Sequence, residues 1–278
     1  MLKNILLAVD GSRYTDPVLS AGIEIGRAFH GFLRVLSVAD VRVFEWASAI
    51  GSDGFVPIAP TGIYQQESMR LLEDKCNKVL EKSSQILQSK NMDFEIEKQA
   101  ASPANMIIER AQVADLVIMG KCGEFSRWDH QKLGATVQIV AKNIHKPLLV
   151  TGAQHNPIQH ILVGYDGTTH ANQALQLAGH LAEQLHARLT LLSVFDDVKV
   201  GDHYITEAQD YLKNYKIKLE SKVLGGTPDK ILVNYAAEKS VDLVLIGAYG
   251  HSRIREMLLG SNTEHILRHA NCHVMLAK

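Results

Sequence analysis

The chain is written twice. Residues 5–40, ILLAVDGSRYTDPVLSAGIEIGRAFHGFLRVLSVAD, align without a gap against residues 161–196, ILVGYDGTTHANQALQLAGHLAEQLHARLTLLSVFD, at a constant offset of 156. Asp10-Gly11 falls on Asp166-Gly167, and Ser37-Val38 falls on Ser193-Val194. Further on, DLVIMG (Asp115 to Gly120) matches DLVLIG (Asp242 to Gly247) at offset 127, so the second copy lacks 156 − 127 = 29 residues between the two blocks. A period this long is no solenoid repeat; it describes two copies of one domain. The polar stretch GAQHNP, from Gly152 to Pro157, marks the join and divides the chain into residues 1–152 and 156–278.

Each copy alternates strand-like and helix-like segments. In the first, Ile5 to Val9 is a short apolar run closed by the turn signal Asp10-Gly11-Ser12. From Pro17 to Phe29 apolar residues recur at helical spacing, and Leu33 to Val38 is apolar again. Tyr64 to Gln88 reads as an ordinary surface helix and Phe94 to Glu97 as an alternating strand. Pro103, with Ser102 as candidate N-cap, opens a further helix. Asp115 to Gly120 is a buried type of strand, Val137 to Lys142 is helical, and Pro147 to Val150 closes the copy. Continuous apolar strands separated by helices predict an α/β fold, here two doubly wound, Rossmann-like domains with five-stranded parallel sheets. Bare last strands would aggregate, so Leu148–Val150 and Val274–Leu276 are expected to pair antiparallel in an internal pseudo-dimer.

Composition excludes several classes. A formal net charge of −1 carries no basic excess for nucleic acid. The N-terminal apolar run, five residues, is too short for a signal sequence, and no run approaches the ~18 residues of a membrane span. Three cysteines, Cys76, Cys122 and Cys272, without a CxxC pair, fit a reducing cytoplasm. His265, His269, Cys272 and His273 invite a zinc site, but strand alternation points Cys272 and His273 opposite ways, so no metal is assigned.

The chemistry concentrates after DLVLIG. In a doubly wound sheet, ligands bind beyond the strand C-termini where the strand order reverses. Asp166, Val194 and Gly247 all end strands there. The stretch GAYGHSRIREMLLGSN, from Gly247 to Asn262, follows with spacing G-x2-G-x9-G-S at Gly247, Gly250, Gly260 and Ser261. Its glycines allow backbone N–H groups to approach an anion, and the helix starting near Ser261 adds its positive end. It is neither a GxxxxGK[ST] loop nor GxGxxG.

On these residues (ILLAVDGS and ILVGYDGT, the two Ser-Val pairs, DLVIMG and DLVLIG, and the glycine loop) the whole chain resembles a tandem universal stress protein. The resemblance implies a stress-response or regulatory protein that binds an adenine nucleotide. ATP, with or without Mg, is the favoured ligand, and AMP or ADP the alternatives. It implies Asp166 and Val194 at the base, and Gly247, Gly250, Gly260, Ser261 and Asn262 at ribose and phosphates, with Arg253 either pairing with phosphate or filling the site. The counterpart set in the first copy is Asp10, Val38, Gly120, Gly123, Gly134 and Thr136. There ten residues rather than nine precede Gly134, Ala135 replaces the hydroxyl, and Glu124 and Asp129 bring negative charge. The first copy is therefore expected to have a degraded site. Three classes stay open: a nucleotide-binding sensor or adaptor, a slow ATPase, and a ligand-free scaffold. No catalytic residue is assigned, because Glu256 is the only carboxylate of the second loop. Homodimers are an expected further assembly.

Overall fold

A computed structural model of the chain describes residues 2–42, 62–124, 133–248 and 259–278. The first copy runs β1 (Asn4–Ala8), α1 (Thr15–Phe29), β2 (Phe32–Asp40), α2 (Gly62–Ser89), β3 (Phe94–Ala101), α3 (Pro103–Ala111), β4 (Leu116–Gly120), α4 (Ala135–Asn143) and β5 (Leu148–Thr151). The second runs β6 (His160–Gly164), α5 (Thr169–Leu185), β7 (Arg188–Val194), α6 (Val198–Leu212), β8 (Lys218–Leu224), α7 (Pro228–Glu238), β9 (Leu243–Gly247), α8 (Ser261–His269) and β10 (His273–Ala277). Much of the shortening of the second copy falls on one helix: α2 has 28 residues and α6 has 15.

The two five-stranded units do not stay separate. They merge into one ten-stranded sheet, ordered β3-β2-β1-β4-β5-β10-β9-β6-β7-β8. Within each half all pairs are parallel; at the seam β5 and β10 run antiparallel, Val150 opposite Val274, Leu149 opposite Met275 and Leu148 opposite Leu276. This is the pairing expected from the sequence. Leu148, Leu149, Met275 and Leu276 are wholly buried there, so the seam is as dry as the interior of either half.

Helices cover both faces, so the inner strands carry apolar residues on both sides and read as unbroken runs. Along β1, Ile5 and Leu7 join one core and Leu6 the other. Each core continues across the seam: the first includes Ile161 and Val163 of β6, the second Leu162. The outermost strands differ. β3 and β8 mix half-buried and exposed positions with none fully buried, and their charged residues, among them Glu95, Glu97, Lys218 and Glu220, keep these edges from pairing with another chain.

Polar ties also cross between the halves. Lys121 Nζ donates to the carbonyls of Arg268 (2.5 Å) and Ala270 (3.4 Å), at the end of α8. Reciprocally, Lys278 Nζ donates to the Ala141 carbonyl (2.5 Å) in the last turn of α4. Both ammonium groups sit where a helix C-terminus favours a cation. Burial nonetheless pulls Lys278 down to about 8.

A third tie joins α1, the linker and β10. The Gly152 N–H donates to His273 Nδ1 (3.0 Å), so the His273 proton sits on Nε2, which faces His155 Nδ1 at 3.0 Å. His155 Nε2 then lies 3.1 Å from Glu24 Oε2, in charge contact but off the line of a hydrogen bond. Glu24 Oε1 accepts from the Ile158 N–H at 2.8 Å.

Several local expectations need adjusting. Ser102 occupies the N-cap of α3, yet its side chain makes no capping bond. His30 and His186 end α1 and α5 with φ of 50° and 55°, the left-handed position usually given to glycine. α2 is more than a surface helix, because Cys76, Leu80, Ser83 and Leu87 are buried. The stretch from Arg42 to Gly62, whose two prolines and several glycines read as a long loop, lies from residue 43 to 61 outside the described residues.

Candidate functional site

In both halves the strand order reverses beside the first strand of the copy: β1 lies between β2 and β4, and β6 between β7 and β9. Loops leaving neighbouring strands there part to opposite faces and open a crevice.

The Asp-Gly turns at the two crevices are built alike. Gly11 has φ +80° and Gly167 φ +75°, a conformation that favours glycine. In each turn the aspartate folds back on the chain: Asp10 Oδ1 accepts from the Ser12 N–H (2.9 Å), and Asp166 Oδ1 from the Thr168 N–H (3.1 Å) and hydroxyl (2.7 Å). Their second oxygens diverge. Asp10 Oδ2 accepts from the Glu124 N–H at 3.0 Å, inside the first glycine loop. Asp166 Oδ2 has no hydrogen-bond partner among the described residues.

The glycines divide the same way. A side chain at Gly247 would place Cβ 2.5 Å from the His170 carbonyl carbon, and one at Gly120 would place it 2.4 Å from Tyr14 Cβ. Both let the start of a helix earlier in the chain, α5 at Gly247 and α1 at Gly120, lie close against the strand end, whatever binds nearby. At Gly123 an added Cβ would reach Asp10 Oδ2 at 3.0 Å, and at Gly134 the Cys122 Cα at 3.2 Å; the first loop is closed on itself. Gly260 is different: its nearest neighbour would be Thr263 Oγ1 at 3.9 Å, and φ −54°, ψ 143° suits any residue. No packing or backbone constraint among the described residues explains why position 260 is glycine. It is the N-cap of α8, with no side-chain capping bond, followed by exposed Ser261 and Asn262. Gly250 and Arg253 lie outside the described residues, as do Trp128, Asp129 and Glu256.

The six first-copy residues, Asp10, Val38, Gly120, Gly123, Gly134 and Thr136, all line one cavity of about 460 Å³. Beside it Arg42 grips Asp40 through two bonds (2.8 and 2.6 Å), and Lys75 of α2 pairs with Glu124. Lys75 escaped the sequence analysis, because an ion pair across 49 residues has no local signature; Asp40, paired with Arg42 only two residues on, was missed as well. Phe195 and Tyr204 escaped it as well. Their rings stack at 5.4 Å, and the Tyr204 ring lies over Gly167, so close that an added Cβ would be 2.2 Å away.

Two other polar clusters bear on chemistry. His265 faces Asp229 at 3.2 Å without hydrogen-bond alignment, and its ring packs 4.3 Å from that of His269. Among the described residues, no three His, Cys, Asp or Glu side chains converge as metal ligands. Cys122 is buried, and burial pushes the Cys272 thiol up to about 11, so it is no ready thiolate.

Comparison with known proteins fits this architecture. A universal stress protein of Synechocystis, Slr1230, is 26% identical over 99% of both chains. The universal stress protein YxiE of Bacillus subtilis is 28% identical, matching 42% of this chain and 97% of its own. A crystal structure of an Archaeoglobus fulgidus universal stress protein superposes over 99% of this chain and 98% of that one, with a TM-score of 0.77 at 20% identity, which speaks for the fold alone. The model of the universal stress protein family matches residues 1–152 and again 157–278, and the chain belongs to that family as two copies in tandem.

Proposed function

We propose that the second half binds an adenine nucleotide, ATP first and AMP or ADP as alternatives, and that the protein acts as a regulatory binder in the stress response. Asp166 and Val194 would meet the base, and Gly247, Gly250, Gly260, Ser261 and Asn262 the ribose and phosphates, with Arg253 as counter-ion. The spacing G-x2-G-x9-G-S, ending at the N-cap of α8, carries this assignment. A glycine at the N-cap of α8, beside a hydroxyl, supports close approach by an anion.

In the first half the corresponding donor, the Glu124 N–H, is already taken by the carboxylate of Asp10. A backbone donor of the first glycine loop is thereby spent within the chain. One nucleotide per chain follows. The cytoplasm suits a chain whose three cysteines form no disulfide and which has, among the described residues, no helix long and apolar enough to cross a membrane. A homodimer would bury surfaces other than the β5–β10 seam, which is used within the chain.

Calorimetric titration with ATP tests the stoichiometry, and mass spectrometry of ligand released from denatured protein tests its identity. One site per chain and a released adenine nucleotide are expected. No binding at all would favour a ligand-free scaffold, and two equal sites would contradict the difference between the halves.

A further inference from the structure

The first-half cavity is not explained by a nucleotide. Its wall is largely apolar, from Val38, Leu72, Ile107, Met119, Leu133 and Val137. Its charged groups are matched among themselves: Arg42 holds Asp40, Lys75 holds Glu124, and Asp10 accepts two backbone N–H groups. Among the described lining residues, three carboxylates against two cations give an entering phosphate no net attraction. An entering cation would exchange its hydration for an apolar wall.

One lining group stands apart. Ser37 on β2 is 1% exposed, and its hydroxyl has no hydrogen-bond partner. The matching hydroxyl in the second half, Ser193, donates to the Tyr165 carbonyl at 2.7 Å. The same residue in the same fold is therefore satisfied by the chain in one copy and left open in the other, against the strong tendency of buried polar groups to be paired.

We infer that the cavity beside Ser37 is a second ligand site, for a small, uncharged, largely apolar organic molecule carrying one hydrogen-bonding group. Its volume of about 460 Å³ lies within the range of small-molecule pockets. The apolar wall supplies the binding energy, and Ser37 orients the single polar atom. Because this site is in the other half, it stands whether or not the second half binds ATP.

The test uses the full chain and N-phenyl-1-naphthylamine, an uncharged fluorescent probe with one N–H. One saturable probe site per chain is expected, with affinity unchanged by millimolar ATP. Ile107→Trp, which fills the cavity from α3, should weaken the probe at least tenfold. Ser37→Ala should weaken it about two- to tenfold, the worth of one neutral hydrogen bond, without lowering the melting temperature, since it removes an unpaired hydroxyl. Should Ile107→Trp fail to fold, Ser37→Ala decides alone. Absence of saturable binding, displacement by ATP, or an affinity indifferent to Ile107→Trp in folded protein overturns the site. Indifference to Ser37→Ala overturns the role given to the hydroxyl.

Discussion

Acid should loosen the seam between the halves through His273. This imidazole is 2% exposed; burial first, and then the neighbouring His155, pull it from 6.5 down to about 4, against a smaller opposing pull from Glu24. Geometry agrees, because Nδ1 is already an acceptor for the Gly152 N–H and a second proton there would break that bond. The folded value lies below the unfolded one, so unfolding takes up a proton between the two. Stability is complete above about pH 6.5 and is lost as pH falls toward about 4. At 1.36 kcal/mol per unit, the window between pH 7.5 and 4.5 is worth about 2–3 kcal/mol. Other groups titrate there too, among them His160, which burial and Arg188 also lower. The measurement is therefore a difference. Urea unfolding of the parent and of His273→Asn, which retains an acceptor for Gly152, is compared at pH 7.5 and 4.5. The pH-dependent loss should be smaller in the variant by about 2–3 kcal/mol. Equal losses in the two proteins would refute the buried neutral imidazole.

Two glycine substitutions separate packing from binding. Gly247→Ala drives a Cβ to 2.5 Å from backbone of α5 and should cost about 1–3 kcal/mol or more in thermal or urea unfolding. Gly260→Ala meets, among the described residues, only Thr263 Oγ1 at 3.9 Å and should change stability by no more than ~1 kcal/mol, while weakening ATP in the same calorimetric assay. At the seam, Met275→Ala should cost about 2–5 kcal/mol in urea unfolding, since the side chain is wholly buried opposite Leu149; a loss under 1 kcal/mol would mean that the seam repacks freely.

The repeat made the fold legible. Asp-Gly, Ser-Val and DLV-x-x-G recur because each sits where the backbone has one workable conformation or where a strand is buried on both faces. Even the seam could be read, since Leu148–Val150 and Val274–Leu276 are apolar runs that would aggregate if left as bare edges. What sequence could not show was how side-chain atoms are shared. Asp10 looks in the chain like any turn aspartate, yet its second carboxylate oxygen reaches across 114 residues to the Glu124 N–H of the first glycine loop. Ser37 and Ser193 were visible as a repeated pair, but only the structure separates the unpartnered hydroxyl from the bonded one. Gly247 read as part of an anion cradle; the backbone of His170, 77 residues earlier, gives it a packing duty as well.

The central claim is that a nucleotide belongs to the second half and not to the first. ATP titrated by calorimetry into the parent, Gly250→Leu, Ser261→Ala and Gly123→Leu tests it most directly. The parent and Gly123→Leu should each bind one ATP with the same affinity, Ser261→Ala should bind about two- to tenfold more weakly, and Gly250→Leu should show no heat of binding. Loss of binding in Gly123→Leu with retention in Gly250→Leu would place the nucleotide in the wrong half and contradict the account.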